Sequence, residues 1–216
     1  MKYIERQLTN KLFKDIQPGK VVLLTGARRT GKTKLINQIA LKLEENILEI
    51  NGEDSVDKEL FEPISKEHYR SVFSNYEYIF VDEAQKIPEI GKKLKFLVDN
   101  IDKIKVLATG SSAFELSGQF GEPLTGRKKT WHLYPFSVQE FINNEKINET
   151  QGKLAERLIY GSYPELEQID SKKQRERHYR IAGENGVHHY KMVSSERGLK
   201  GMGYNRFCTN FRPIIE

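Results

Sequence analysis

The chain has 216 residues, 38% hydrophobic and 30% charged, which suits a globular protein of one domain, or of one domain and part of a second, and excludes wholesale disorder. Its longest apolar runs, such as Val21–Leu24 and Tyr78–Val81, fall far short of the ~20 residues a membrane span needs, and its one cysteine, Cys208, excludes an internal disulfide and any multi-cysteine metal site. The net charge of +5 is unevenly spread, because residues 172–216 hold ten Lys or Arg against four acids, a net +6, while residues 1–171 carry −1.

Residues 1–10 mix charges throughout and lack the apolar core of a secretory signal, so a reducing cytoplasm is the expected setting. Lys20–Gly26 (KVVLLTG) then predicts a buried strand, and Lys32–Glu45 a helix with Leu35, Ile36, Ile39, Ala40 and Leu43 at helical spacing. Asn46–Asn51 predicts a second strand, Ser65–Ser74 a short helix, and Tyr76–Val81 an apolar strand ending at Asp82. Ile90–Ile101 places Leu94, Leu97, Val98 and Ile101 on one helical face. Lys105–Thr109 is the fourth predicted strand and Lys129–Leu133 the fifth, with a helix over Phe136–Asn143 capped near Ser137. Apolar strands alternating with amphipathic stretches indicate an α/β domain with a mostly parallel sheet. The expected division is a core over 1–145, a helical extension beginning at 146–171, and a basic, glycine-containing tail over 172–216. The tail lacks sustained apolar periodicity, so it is expected to add little to the fold and to carry any nonspecific affinity for nucleic acid.

Three segments carry chemistry. Gly26-Ala27-Arg28-Arg29-Thr30-Gly31-Lys32-Thr33 matches G-x-x-x-x-G-K-[ST], with the strand before it and the helix after it that the motif requires. Glycines let backbone N–H groups turn inward around phosphate oxygens, and the following helix points its positive end at the same place. Lys32 then reaches the β- and γ-phosphates and the Thr33 hydroxyl ligates Mg²⁺. Arg28 and Arg29 either add phosphate contacts or point to solvent. Tyr78-Ile79-Phe80-Val81-Asp82-Glu83 delivers two carboxylates at the carboxyl end of a strand, where ligands of open parallel sheets gather. Asp82 is the expected Mg²⁺ partner and Glu83 the residue that polarises an attacking water. In Ala108-Thr109-Gly110-Ser111-Ser112 a hydroxyl at the strand end is expected to hold that water, with Ser111 and Ser112 as the sensor candidates; an ordinary strand-to-turn transition is the alternative.

The stretches YIERQL, VVLLTGARRTGKT, YIFVDEAQKIP, VLATGSSAFEL, LTGRKKTWHLYPFSVQEF and YGSYPE resemble a family of prokaryotic AAA-type ATPases within the AAA+ superfamily, over about residues 1–167. The resemblance implies a P-loop NTPase core of the ASCE type, a three-layer sandwich with parallel sheet order 5-1-4-3-2, a helical extension, and ATP with Mg²⁺ as ligands. It supports Lys32, Thr33, Asp82, Glu83 and the Ser111/Ser112 pair in the roles given above. In that family the Gly126-Arg127 pair precedes the fifth strand, where Arg127 is a finger acting on a neighbouring subunit, a sensor within its own chain, or part of a solvated charge run. A finger would require a homo-oligomer. Lys34 stands where many relatives have a second Thr or Ser, a departure that leaves the metal hydroxyl of Thr33 in place. After about residue 171 the resemblance fails: relatives continue with helices and a further domain, whereas this chain turns basic and stops at Glu216, as a truncated, frameshifted or divergent end would.

Three functions are consistent with these residues. The first is an ATPase coupling cleavage of the β–γ phosphoanhydride bond to a change in a protein or nucleic-acid client. The second is a nucleotide-gated binding module or hydrolysis-defective remnant. The third, a small-kinase phosphotransferase, fits the Asp82-Glu83 pair less well.

Overall fold

A computed structural model of the chain describes residues 3–43, 46–111, 124–169 and 174. The expectations for Ser112, and for all of the basic tail except residue 174, lie outside these residues. The chain forms two compact units, Met1–Lys146 and Ile147–Glu216. Among the described residues no helix is long and apolar enough to cross a membrane.

The first unit opens with helix α1 (Thr9–Asp15) and strand β1 (Val21–Gly26), followed by α2 (Lys32–Leu43) and β2 (Ile47–Asn51). Helices α3 (Ser55–Glu59) and α4 (Lys66–Phe73) lead to β3 (Tyr78–Asp82), a 3₁₀ turn over Ala84–Lys86, α5 (Ile90–Asn100), β4 (Lys105–Ser111), β5 (Lys128–His132) and α6 (Val138–Asn144). All five strands are parallel and lie in the order β2-β3-β4-β1-β5, the expected order read from the other edge. This is the topology of a P-loop NTPase core.

Strand periodicity sorts the core into two layers. Val21, Leu23, Ile79, Val81, Val106 and Ala108 face the side on which Tyr69 and Phe73 of α4 and Leu94 and Leu97 of α5 are buried. Val22, Leu24, Tyr78, Phe80 and Leu107 face the other, against Leu12 of α1 and Leu35, Ile36 and Ile39 of α2. A helix–sheet–helix sandwich results. Every residue of β1 is buried, because a central parallel strand is covered on both faces, and that is why its apolar run is continuous rather than alternating.

Local signals set the element ends. Ser65 caps α4 by accepting the His68 N–H, and Asp54 caps α3 by accepting that of Val56. Ser137 and Glu140 form a reciprocal capping box at the start of α6. Glu140 also accepts from the Gln7 N–H and pairs at 3.3 Å with Arg6, whose guanidinium lies 4.5 Å from the centre of the Phe136 ring. The segment before α1 is thereby tied to the chain that follows β5.

The second unit is described from α7 (Ile147–Tyr160) to a 3₁₀ turn over Leu166–Gln168. Tyr160, Tyr163 and Leu166 form a small core. Arg157 donates two hydrogen bonds to Glu167, at 2.9 and 2.8 Å, in a fork geometry.

Candidate functional site

Because all strands run the same way, their carboxyl ends meet at one edge. β1 ends at Gly26, whose register partner on β4 is Ser111, and β3 ends at Asp82, opposite Asn51 of β2. The loop between β1 and α2 therefore opens beside the Asp82-Glu83 pair and the end of β4, bringing the three chemical segments together.

The loop owes its shape to backbone freedom and self-contact. A Cβ on Gly26 would lie 2.5 Å from the Leu133 carbonyl oxygen, so only glycine lets β1 turn into the loop beside β5. Arg29 and Gly31 take positive φ values of 66° and 92°, and the Thr30 hydroxyl donates to the Ala27 carbonyl at 2.9 Å. The side chains of Arg28, Arg29, Thr33 and Lys34 are exposed. Lys32 begins α2, is only 7% exposed, and its Nζ donates to the carbonyls of Gly26 and Ala27, each at 3.0 Å. Burial pushes its ammonium below the usual lysine range; the Glu83 and Asp82 carboxylates draw it back up, and Arg28 opposes them. A buried cation thus sits over the loop, within electrostatic reach of the carboxylate pair.

The carboxylates are held from several sides. The buried Thr109 hydroxyl donates to Asp82 Oδ1 and accepts the Glu83 backbone N–H at 3.0 Å. Glu83 sits in the left-handed region, φ 49° and ψ 42°, a conformation uncommon outside glycine. Its carbonyl accepts the Lys86 N–H at 2.9 Å, closing the 3₁₀ turn. The Gln85 amide donates to Glu83 Oε2. Gly52, just past β2, donates its N–H to the Asp82 carbonyl at 2.8 Å. A Cβ there would lie 2.3 Å from the Glu83 carbonyl oxygen.

Gly52→Ala is expected to force that backbone apart, at a cost of about 1–3 kcal/mol, the usual scale of overpacking. A urea unfolding midpoint equal to wild type would contradict this.

The sequence had marked the segment that ends β4 but not Thr109 as the hydroxyl that holds Asp82. Nor had it marked Gly52 or Gln85, whose roles come from contacts across the sheet edge and within the turn. Arg127 does not join the cluster. Its carbonyl accepts the Val21 N–H at 2.8 Å, at the amino end of β1. Five residues of strand, roughly 16 Å, separate that end from Gly26. Its guanidinium pairs with Asp99 at 3.0 Å. Arg127 thus stands apart from the cluster, because a residue preceding a parallel strand lies at the sheet edge opposite the phosphate loop.

A family model described as an AAA domain matches residues 18–142, more than half of the chain. The chain belongs to this AAA-domain family. Its AAA domain contains the loop, the carboxylate pair and Thr109 together. An uncharacterized protein of Haemophilus influenzae is 28% identical over 193 residues, covering 73% of this chain and 42% of that protein. An uncharacterized protein of Mycobacterium tuberculosis is 30% identical over 137 residues, covering 62% of this chain and 30% of its own length. The chain thus spans less than half the length of these curated relatives. Among solved structures, a Thermotoga maritima RuvB mutant aligns with TM-score 0.42 and 20% identity, covering 71% of this chain and 53% of that one. The Pif1 helicase of Candida albicans aligns with TM-score 0.38 and 15% identity, covering 66% and 43%. From likenesses this distant nothing further follows.

Proposed function

We propose that the AAA domain binds ATP with Mg²⁺ and hydrolyses the β–γ phosphoanhydride bond, driving a change in a protein or nucleic-acid client. The observation that supports this most is the hold on Glu83 by the Thr109 hydroxyl, the Gln85 amide and the 3₁₀ turn, beside the buried Lys32. A slack or vestigial loop has no need of a left-handed backbone and three contacts gathered on one glutamate.

The donor set fits a magnesium ion shared with phosphate. Among the described residues no group of three or more His, Cys, Asp or Glu side chains stands ready to hold a metal alone. Mg²⁺ is ordinarily bound by one or two protein ligands together with phosphates and water. The exposed Thr33 hydroxyl and Asp82 would supply those ligands. Thr109 engages Asp82 Oδ1, and the other carboxylate oxygen makes no hydrogen bond among the described residues. The ion, when bound, neutralises charge on the phosphates.

In the reaction, Glu83 takes a proton from a water whose oxygen attacks the γ-phosphorus. The bond from that phosphorus to the β–γ bridging oxygen breaks, leaving ADP and phosphate. Loop N–H groups and Lys32 hold the phosphates in place. Arg127, exposed at the opposite sheet edge, is assigned to a neighbouring copy in a homo-oligomer rather than to its own site. A cytoplasmic location, where ATP and Mg²⁺ are supplied, goes with this reading. Phosphate release from ATP by the purified chain is expected with Mg²⁺ and is expected to stop with excess EDTA. Equal release in both conditions would contradict the proposal.

A further inference from the structure

We propose that Gln85 is a positioning residue for Glu83, fixing which carboxylate oxygen faces the attacking water; this rests on the ATPase reading above. Glu83 and Gln85 lie two residues apart across the start of the Ala84–Lys86 turn, and the turn brings the Gln85 amide onto the glutamate. Nε2 donates to Glu83 Oε2. The other end of the same amide, Oε1, is buried and has no hydrogen-bond partner among the described residues.

The unpaired oxygen shows what the amide is for. Buried polar atoms are nearly always paired, so a glutamine serving only to knit the fold would satisfy both of its ends. Reversing the amide would set Oε1 against the carboxylate, acceptor to acceptor, so the negative charge on Glu83 dictates the orientation observed. Gln85 accepts an orphaned carbonyl as the consequence of its contact with Glu83.

That contact divides the labour of the carboxylate. Oε2 is anchored by Gln85, whereas Glu83 Oε1 makes no hydrogen bond among the described residues and is left to accept the proton of water. The backbone of Glu83 is already fixed by the Thr109 hydroxyl and by the 3₁₀ turn that its carbonyl closes, which leaves rotation of its side chain as the remaining freedom. Gln85 removes that freedom, and general-base catalysis depends on such alignment.

The test is a double-mutant cycle in single-turnover ATP hydrolysis, using the full chain as wild type, Gln85→Met, Glu83→Gln and the double variant. Methionine keeps the volume of glutamine without the donor. In the wild-type background Gln85→Met is expected to lower the rate about 10–100-fold, the scale of one hydrogen bond to a charged group. Nucleotide affinity is expected to be unchanged. In the Glu83→Gln background the same substitution is expected to cause no further loss, because Gln85 acts through Glu83. Gln85→Glu, which keeps the shape but replaces the donor with an acceptor, is expected to show the same loss and serves if the methionine variant does not fold. An unchanged rate, a rise in rate, or an equal loss in both backgrounds would overturn the role of Gln85 and leave the ATPase reading standing. Wild-type hydrolysis that is absent, or indifferent to Glu83→Gln, would instead overturn the ATPase reading and this proposal with it.

Discussion

Lys32→Ala is expected to abolish tight ATP binding, with a loss in affinity of about 100-fold or more. The place of the ammonium in the fold sets that scale. Its two hydrogen bonds to the carbonyls of Gly26 and Ala27 show that Nζ already sits over the loop. Charge-assisted hydrogen bonds contribute about 1.5–3 kcal/mol each, so losing the two that Nζ is expected to give the β- and γ-phosphates accounts for the factor given. The cation is also largely desolvated, its burial offset by Glu83 and Asp82, so it meets a phosphate without the shielding of water. Arg28 and Arg29 are exposed on the same loop and offer no equivalent buried charge. Calorimetric titration with ATP checks the expectation. An unchanged dissociation constant would show that the loop is not the nucleotide site.

Glu83→Gln is expected to act on the other half of the site, leaving ATP bound and lowering turnover by about 10²–10⁴-fold, the scale of removing a general base. The amide matches the carboxylate in shape, so the left-handed backbone, the contact of the N–H with Thr109 and the close approach of Gly52 all survive the change. Only the capacity to accept a proton is lost. After incubation with Mg-ATP and removal of free nucleotide, the variant is expected to retain ATP where wild type retains ADP. A variant holding mainly ADP would assign water activation to another group.

The two variants divide the site as the sequence divides it, and the reason lies in what a linear pattern records. The loop between β1 and α2 was legible because its signature is local, with Gly26, Gly31, Lys32 and Thr33 gathered between a strand and a helix. β1 and β3 were legible because central parallel strands are buried on both faces, and α2 and α5 because Leu35, Ile36 and Ile39, or Leu94, Leu97 and Val98, recur at helical spacing. Helices α1 and α3, of seven and five residues, are too short to establish a period. Thr109 and Gly52 escaped because their roles depend on register between strands distant in sequence, which composition does not encode. The place of Arg127, left open between three roles, was already implied by the direction of β5. In a parallel sheet the residue before a strand lies at the edge away from the ligand.

The most direct measurement is phosphate release from Mg-ATP by the purified chain, with wild type and Glu83→Gln prepared identically and assayed side by side. The account predicts steady release by wild type and loss of nearly all of it in the variant, with ATP still bound. Equal release from both, or none from either, would contradict the claim that Glu83 serves as the base of an ATPase.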